Sequence, residues 1–81
     1  MTMTTTEREI VGVNIRRLCA LVPVSLRRLA MDLEINRAYL HDIVNGNANP
    51  TMDMYERIAA YFDVTVRELL TERKKRELVK K

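Results

Sequence analysis

Apolar side chains recur along this chain at intervals of three and four residues, the period of an α-helix that buries one face. In the first segment Ile10, Val11, Asn14, Ile15, Leu18 and then Leu21 or Val22 form such a stripe, which breaks at Pro23. Ahead of it, Thr6-Glu7-Arg8-Glu9 has the Thr-x-x-Glu form of a capping box, so the pattern predicts a first helix over about 7–21. Ser25 is a good N-cap for a second, shorter helix whose inner face is Leu26, Leu29, Ala30 and Leu33. After Glu34-Ile35, Asn36 caps a third helix carrying Leu40, Ile43 and Val44, which ends at Asn45-Gly46.

The stretch from Asn45 to Pro50 holds three Asn, a Gly and a Pro, the composition of a loop. Thr51 then caps a fourth helix with Met54 or Tyr55, Ile58, Ala59 and Phe62 inward. Thr65-Val66-Arg67-Glu68 is a second capping box and opens a fifth helix with Val66, Leu69 and Leu70 inside. The expected fold is therefore all-α, five short helices without internal repeat.

A chain of 81 residues has room for one core and one working surface. The expected organisation is a flexible arm over 1–6, a folded domain over 7–70 and a basic extension over 71–81. One Cys and one His leave no basis for a disulfide or a metal site, and no glycine-rich phosphate loop or paired-carboxylate signal suggests catalysis. No enzyme activity, cofactor or small-molecule ligand is expected. Uninterrupted apolar runs reach five residues, from Leu18 to Val22, and the Thr-rich start lacks the basic and apolar regions of a signal peptide. A cytoplasmic protein without a membrane partner is expected. The net charge of +3 is unevenly spread: residues 1–70 sum to −1 and residues 71–81 to +4. Bulk charge therefore does not argue for nucleic acid, and the question becomes whether basic groups gather on one face of the folded part.

Two short helices separated by Glu34-Ile35 have the layout of a helix-turn-helix. The run Ser25-Leu26-Arg27-Arg28-Leu29-Ala30-Met31-Asp32-Leu33-Glu34-Ile35-Asn36-Arg37-Ala38-Tyr39-Leu40 resembles the helix-turn-helix core of the phage Cro/repressor-like (XRE) family. So do Ile43-x-x-Gly46-x-x-Asn49-Pro50 and Ile58-Ala59-x-x-Phe62-x-Val64-x-Val66-x-Glu68-Leu69-Leu70, and the likeness runs without a gap from about Ile10 to Leu70. It implies a compact five-helix, lambda-repressor-like DNA-binding domain with helices 2 and 3 as the helix-turn-helix. Three positions depart from the family pattern. Glu34 stands where the turn usually has Gly, and a side chain there either sits at positive φ, at roughly 1 kcal/mol, or shifts the turn. Leu26 replaces a Gln that clamps a phosphate, and Cys19 and Val44 replace an Arg–Glu pair, an exchange that stability tolerates.

With Leu40, Ile43 and Val44 inward, helical geometry turns Ala38, Asp42 and Asn45 outward, with His41 and Tyr39 on the flanks and Arg37 on the first turn. The resemblance implies that this part enters the major groove of double-stranded DNA, which makes Arg37, Ala38, His41 and Asp42 the candidate base-contacting residues. Arg37 has the chemistry to bond guanine, Ala38 to touch a thymine methyl and Asp42 to accept from cytosine, or else to pair with Arg37 or a neighbour. Candidate phosphate ligands are Arg16, Arg17, Arg27 and Arg28, with Tyr39, which alternatively packs on the helix flank, and the loop amides Asn45, Asn47 and Asn49. The basic extension either strengthens binding without specificity or forms a charged end to helix five. The resemblance further implies a homodimer on a palindromic operator, acting as a transcription regulator. The seam is placed at Val66, Leu69 and Leu70, lengthened by Leu78 and Val79; the alternative puts Leu69 and Leu70 in the core of one chain. The competing function is a protein-binding module like the antitoxins of the same family. Within the DNA-binding reading, the length and the Arg37-Ala38-Tyr39-Leu40 run are similar to small phage repressors and restriction-modification controller proteins.

Overall fold

A computed structural model describes residues 5–72, and side chains from residue 7 onward. Within that span the chain forms five helices and no strand: α1 (Thr5–Leu21), α2 (Leu26–Leu33), α3 (Arg37–Val44), α4 (Met52–Tyr61) and α5 (Val66–Leu70). The caps fall where the sequence places them. Ser25, Asn36 and Thr51 each accept a hydrogen bond from a first-turn amide of the helix they precede. At Thr65 the capping box is complete: its hydroxyl accepts from the Glu68 amide at 3.1 Å, and the Glu68 carboxylate accepts from the Thr65 amide at 2.8 Å.

The beginning of α1 differs from expectation. Thr5 and Thr6 already belong to the helix, so Thr6 is not its N-cap and the folded part begins before residue 7. Neighbouring threonines offer equivalent caps, and adding a residue at a helix end costs little, so the Thr-x-x-Glu spacing alone does not fix the start. The other end of the stripe also stops earlier than expected. Cys19 is the last inward residue, while Leu21 and Val22 are exposed. Residues 1–4 of the expected arm, and residues 73–81 with Leu78 and Val79, lie outside the described residues.

Every helix places at least one side chain wholly out of solvent: Val11 and Ile15 from α1, Leu29 from α2, Leu40 from α3, Ile58 from α4 and Leu69 from α5. Each such burial contributes roughly 1.5–3 kcal/mol, and together they join the helices into one core. Cys19 and Val44, at the positions of the family's ion pair, are both buried in that apolar cluster. Burial pushes the Cys19 thiol up from its ordinary pKa, against the pull of Arg16, so the group is protonated at neutral pH. Leu26 packs partly against the same core, so the side chain standing in place of a phosphate-clamping Gln is committed to the interior.

Two turns share one construction. Glu34 (φ 59°) ends α2 in the left-handed region, with its amide donating to Met31 O at 3.1 Å and the Ile35 amide to Ala30 O at 3.0 Å. Asp63 (φ 58°) repeats this after α4, with Asp63 N to Ala60 O at 3.2 Å and Val64 N to Ala59 O at 2.9 Å. Glu34 thus accepts the left-handed strain in place of a shifted turn, and the layout of α2 and α3 is preserved.

Side chains from other helices close three helix C-termini. The buried Asn14 Nδ2 donates to Leu69 O at 2.7 Å and Thr71 O at 3.0 Å, with Glu68 O at 3.4 Å, and so ties α1 to the end of α5. Arg57 on α4 donates to Leu33 O at the end of α2. Arg16 on α1 donates to the Asn45 side chain at the end of α3. These donors satisfy or neighbour the carbonyls that a helix leaves unpaired, and the two arginines put positive charge at the negative end of a dipole.

Candidate nucleic-acid interface

The third helix divides cleanly into two faces. Leu40, Ile43 and Val44 are buried, whereas Arg37, Ala38, His41, Asp42 and Asn45 are exposed. The Asn36 side chain accepts from Ala38 N at 2.6 Å, which fixes the first turn of α3 from which Arg37 and Ala38 project. Asp42 makes no ion pair among the described residues, so the alternative of a partnership with Arg37 is not the one adopted. Tyr39 lies on the flank, its ring half-buried against the core.

The basic residues do not all converge on this helix. Arg27 and Arg28 are exposed on the first turn of α2, beside the start of the helix-turn-helix. Arg28 is held in place: its Nε donates to Asp32 at 3.2 Å, one turn along, and the Tyr61 hydroxyl donates to the same carboxylate at 2.6 Å. The Tyr61 bond and then Arg28 hold the Asp32 carboxyl below its usual pKa, so the group is ionised throughout the neutral range. Arg16 and Arg17 part company. Arg16 reaches the end of α3, whereas Arg17, 100° further round α1, is half-buried with its Nε shielded from solvent.

The loop after α3 turns at Gly46 (φ 78°), with Asn47 N donating to Asp42 O at 2.8 Å. Asn45, Asn47 and Asn49 are exposed, while Ala48 and Pro50 pin the loop inward, so the three amides extend the solvent face of α3. Leu69, in contrast, is fully buried within a single chain and is withdrawn from the expected seam: the core of one small domain needs it. Val66 and Leu70 are half-buried and retain apolar surface.

The sequence reading missed Gly12. A Cβ there would stand 1.9 Å from Val44 O, so α1 and the last turn of α3 touch backbone to backbone. A lone glycine inside a helical stripe, at a propensity cost of roughly 1 kcal/mol, is the signal that marks such an approach. Asn14 carried a comparable signal, as an amide within an otherwise apolar stripe. Among the described residues no cluster of His, Cys, Asp and Glu is placed to hold a metal, and no helix is long and apolar enough to cross a membrane.

Comparison with known proteins agrees with this geometry. A family model described as Helix-turn-helix matches residues 15–69, which contain the whole of α2, α3 and α4 and most of α5. Among solved structures, the fold is similar to a hypothetical transcription factor, NHTF, from Neisseria, with a TM-score of 0.80 at 20% identity over 99% of this chain and 93% of that one. It is also similar to the clp gene regulator ClgR from Corynebacterium glutamicum, with a TM-score of 0.73 at 21% identity over 86% and 72% of the two chains. No curated protein matches it in sequence. With the motif, the exposed face of α3 and the matched span in agreement, the chain belongs to the XRE-type helix-turn-helix family and is a DNA-binding regulator, not an enzyme.

Proposed function

We propose that the protein binds a palindromic duplex operator as a homodimer in the cytoplasm, with the N-terminal half of α3 in the major groove. The observation that carries this reading is the solvent face of α3: Arg37, Ala38, His41 and Asp42 are all exposed on a helix whose opposite face is locked into the core. Rigid placement matters, because a base edge is read by hydrogen bonds with narrow geometry. Arg37 contacts a guanine, Ala38 a thymine methyl, and His41 and Asp42 the adjoining pairs. Arg27, Arg28 and the amides of Asn45, Asn47 and Asn49 hold the phosphates on either side, with Tyr39 at the flank. Backbone contacts of this kind rely on local donors, so a folded part of charge −1 is no obstacle. A helix of 8 residues spans only a few base pairs, which supports a two-fold dimer reading two half-sites.

The test separates base contacts from backbone contacts. Arg37→Ala is expected to relax preference at one base pair per half-site at a cost of about 1–3 kcal/mol, with the fold intact. Arg27→Ala is expected to weaken all duplexes alike and to lower the slope of log affinity against log salt by about 0.9 for each phosphate no longer neutralised. Anisotropy titrations against duplexes carrying single base changes read both effects. A uniform loss for Arg37→Ala would move that residue to the backbone, and a salt-independent wild type would remove the phosphate contacts altogether.

A further inference from the structure

Asn45 and Arg16 both qualify by sequence as phosphate ligands, yet they are bonded to each other: Arg16 Nη2 donates to Asn45 Oδ1 at 3.1 Å. The chemistry of that pair is one-sided. A guanidinium has donors and no acceptor, so only the oxygen of the carboxamide can face it. A free asparagine amide presents either end outward with little preference, whereas this one is held with Nδ2 and its two N–H groups turned away from Arg16. Asn45 is the C-cap of α3, and helical spacing puts it one turn beyond His41 on the exposed stripe that begins with Ala38. Its amide therefore marks the point where the stripe runs out, and where a helix lying in a groove meets the sugar-phosphate wall.

The anchor itself is stiff. Gly12 and Arg16 lie one turn apart on α1, and Gly12 brings α1 against Val44 O, the carbonyl just before Asn45. The distance from the α1 backbone to the end of α3 is thus set by a glycine contact, and Arg16 spans it with one hydrogen bond.

We propose that Arg16 is a positioning residue: it holds the Asn45 carboxamide so that Nδ2 donates to a DNA phosphate, and it acts on affinity through Asn45. This rests on the DNA-binding reading above and refines it by moving Arg16 out of the set of direct phosphate ligands. The side chain of Arg16 spends its reach on α3, and its charge sits at the negative end of that helix dipole.

A double-mutant cycle with a salt axis tests this. Arg16→Met, Asn45→Ala and the double variant are titrated against a duplex that the wild-type protein has selected from a random pool. Asn45 has φ −87°, which alanine adopts without strain, and both residues are at the surface, so the variants are expected to melt close to the wild type. Arg16→Met is expected to lower affinity about 5-fold in the wild-type background and less than about 2-fold once Asn45 is alanine, the non-additivity of groups in one network. The salt slope is expected to stay unchanged, since the weakened phosphate bond is made by a neutral amide, which releases no counterion. Additive losses, or a slope that falls by about 0.9 with Arg16→Met alone, would overturn the positioning role and make Arg16 a direct ligand. Failure of the wild type to select any duplex would instead overturn the DNA-binding reading, and this role with it.

Discussion

Replacing Gly12 by alanine is expected to destabilise the protein by about 3 kcal/mol, lowering Tm by about 12–24 °C for a domain of this size. Helix propensity alone predicts the opposite sign, since Gly→Ala inside a helix contributes about 1 kcal/mol of stability. The clash decides between them. The added Cβ would lie 1.9 Å from Val44 O and 2.8 Å from Val44 C, and a backbone carbonyl has no rotamer in which to swing aside. Relief requires α1 and α3 to separate, and both carry fully buried side chains, Val11, Ile15 and Leu40, into the shared core. Thermal melting followed by circular dichroism checks the result. A Gly12→Ala variant more stable than wild type would show that the two helices do not meet at this point, and the positioning of Asn45 by Arg16 would lose its base.

The second large effect is expected at Leu70. Leu70→Asp should convert the proposed dimer into a monomer and lower affinity for the proposed two-half-site operator by about 100-fold or more, because linked half-sites gain that much from effective concentration. The substitution is aimed at a half-buried side chain at the end of α5, next to Leu69, which the core of one chain consumes. Val66, on the same helix, is also half-buried and retains apolar surface. A truncation after Thr71 gives an independent comparison, since it spares α5 and removes only the basic extension. Sedimentation of the three proteins separates the cases. A wild type that stays monomeric at tens of micromolar, near the weaker end of useful affinities, and binds the whole palindrome without cooperativity would refute the dimer.

The helices and their caps were legible because each is a local matter. Ser25, Asn36, Thr51 and Thr65 cap through amides two or three residues away, and the apolar spacing of three and four names the inner face of α3 and α4. Of the two candidates for the inner face of α4, Met54 and Tyr55, both are buried. Where several local solutions have nearly equal energy, the pattern did not decide. This was so at the start of α1, among successive threonines, and at its end, where Leu21 and Val22 continue the apolar run but face solvent.

The contacts between helices were not legible. Nothing in the sequence couples Arg16 to Asn45, Arg57 to Leu33, or Asn14 to the carbonyls closing α5, since each pair is joined only by the packing of distant segments. The same holds for the buckle of Tyr61 on Asp32 and Arg28. The candidate site is accordingly mixed. The exposed stripe of α3 follows from periodicity, whereas the separation of Arg16 from Arg17 and the withdrawal of Leu69 from the seam depend on how α1 meets α3 and α5.

The central claim is that α3 reads base edges of duplex DNA in two symmetric half-sites. Selection of bound sequences from random duplex DNA by the full chain tests it most directly, because binding and the site emerge from one measurement. The expected result is an enriched palindrome whose half-site centres lie about 34 Å apart, one helical turn of roughly 10 base pairs. A pool that remains random after repeated rounds at moderate salt would contradict it.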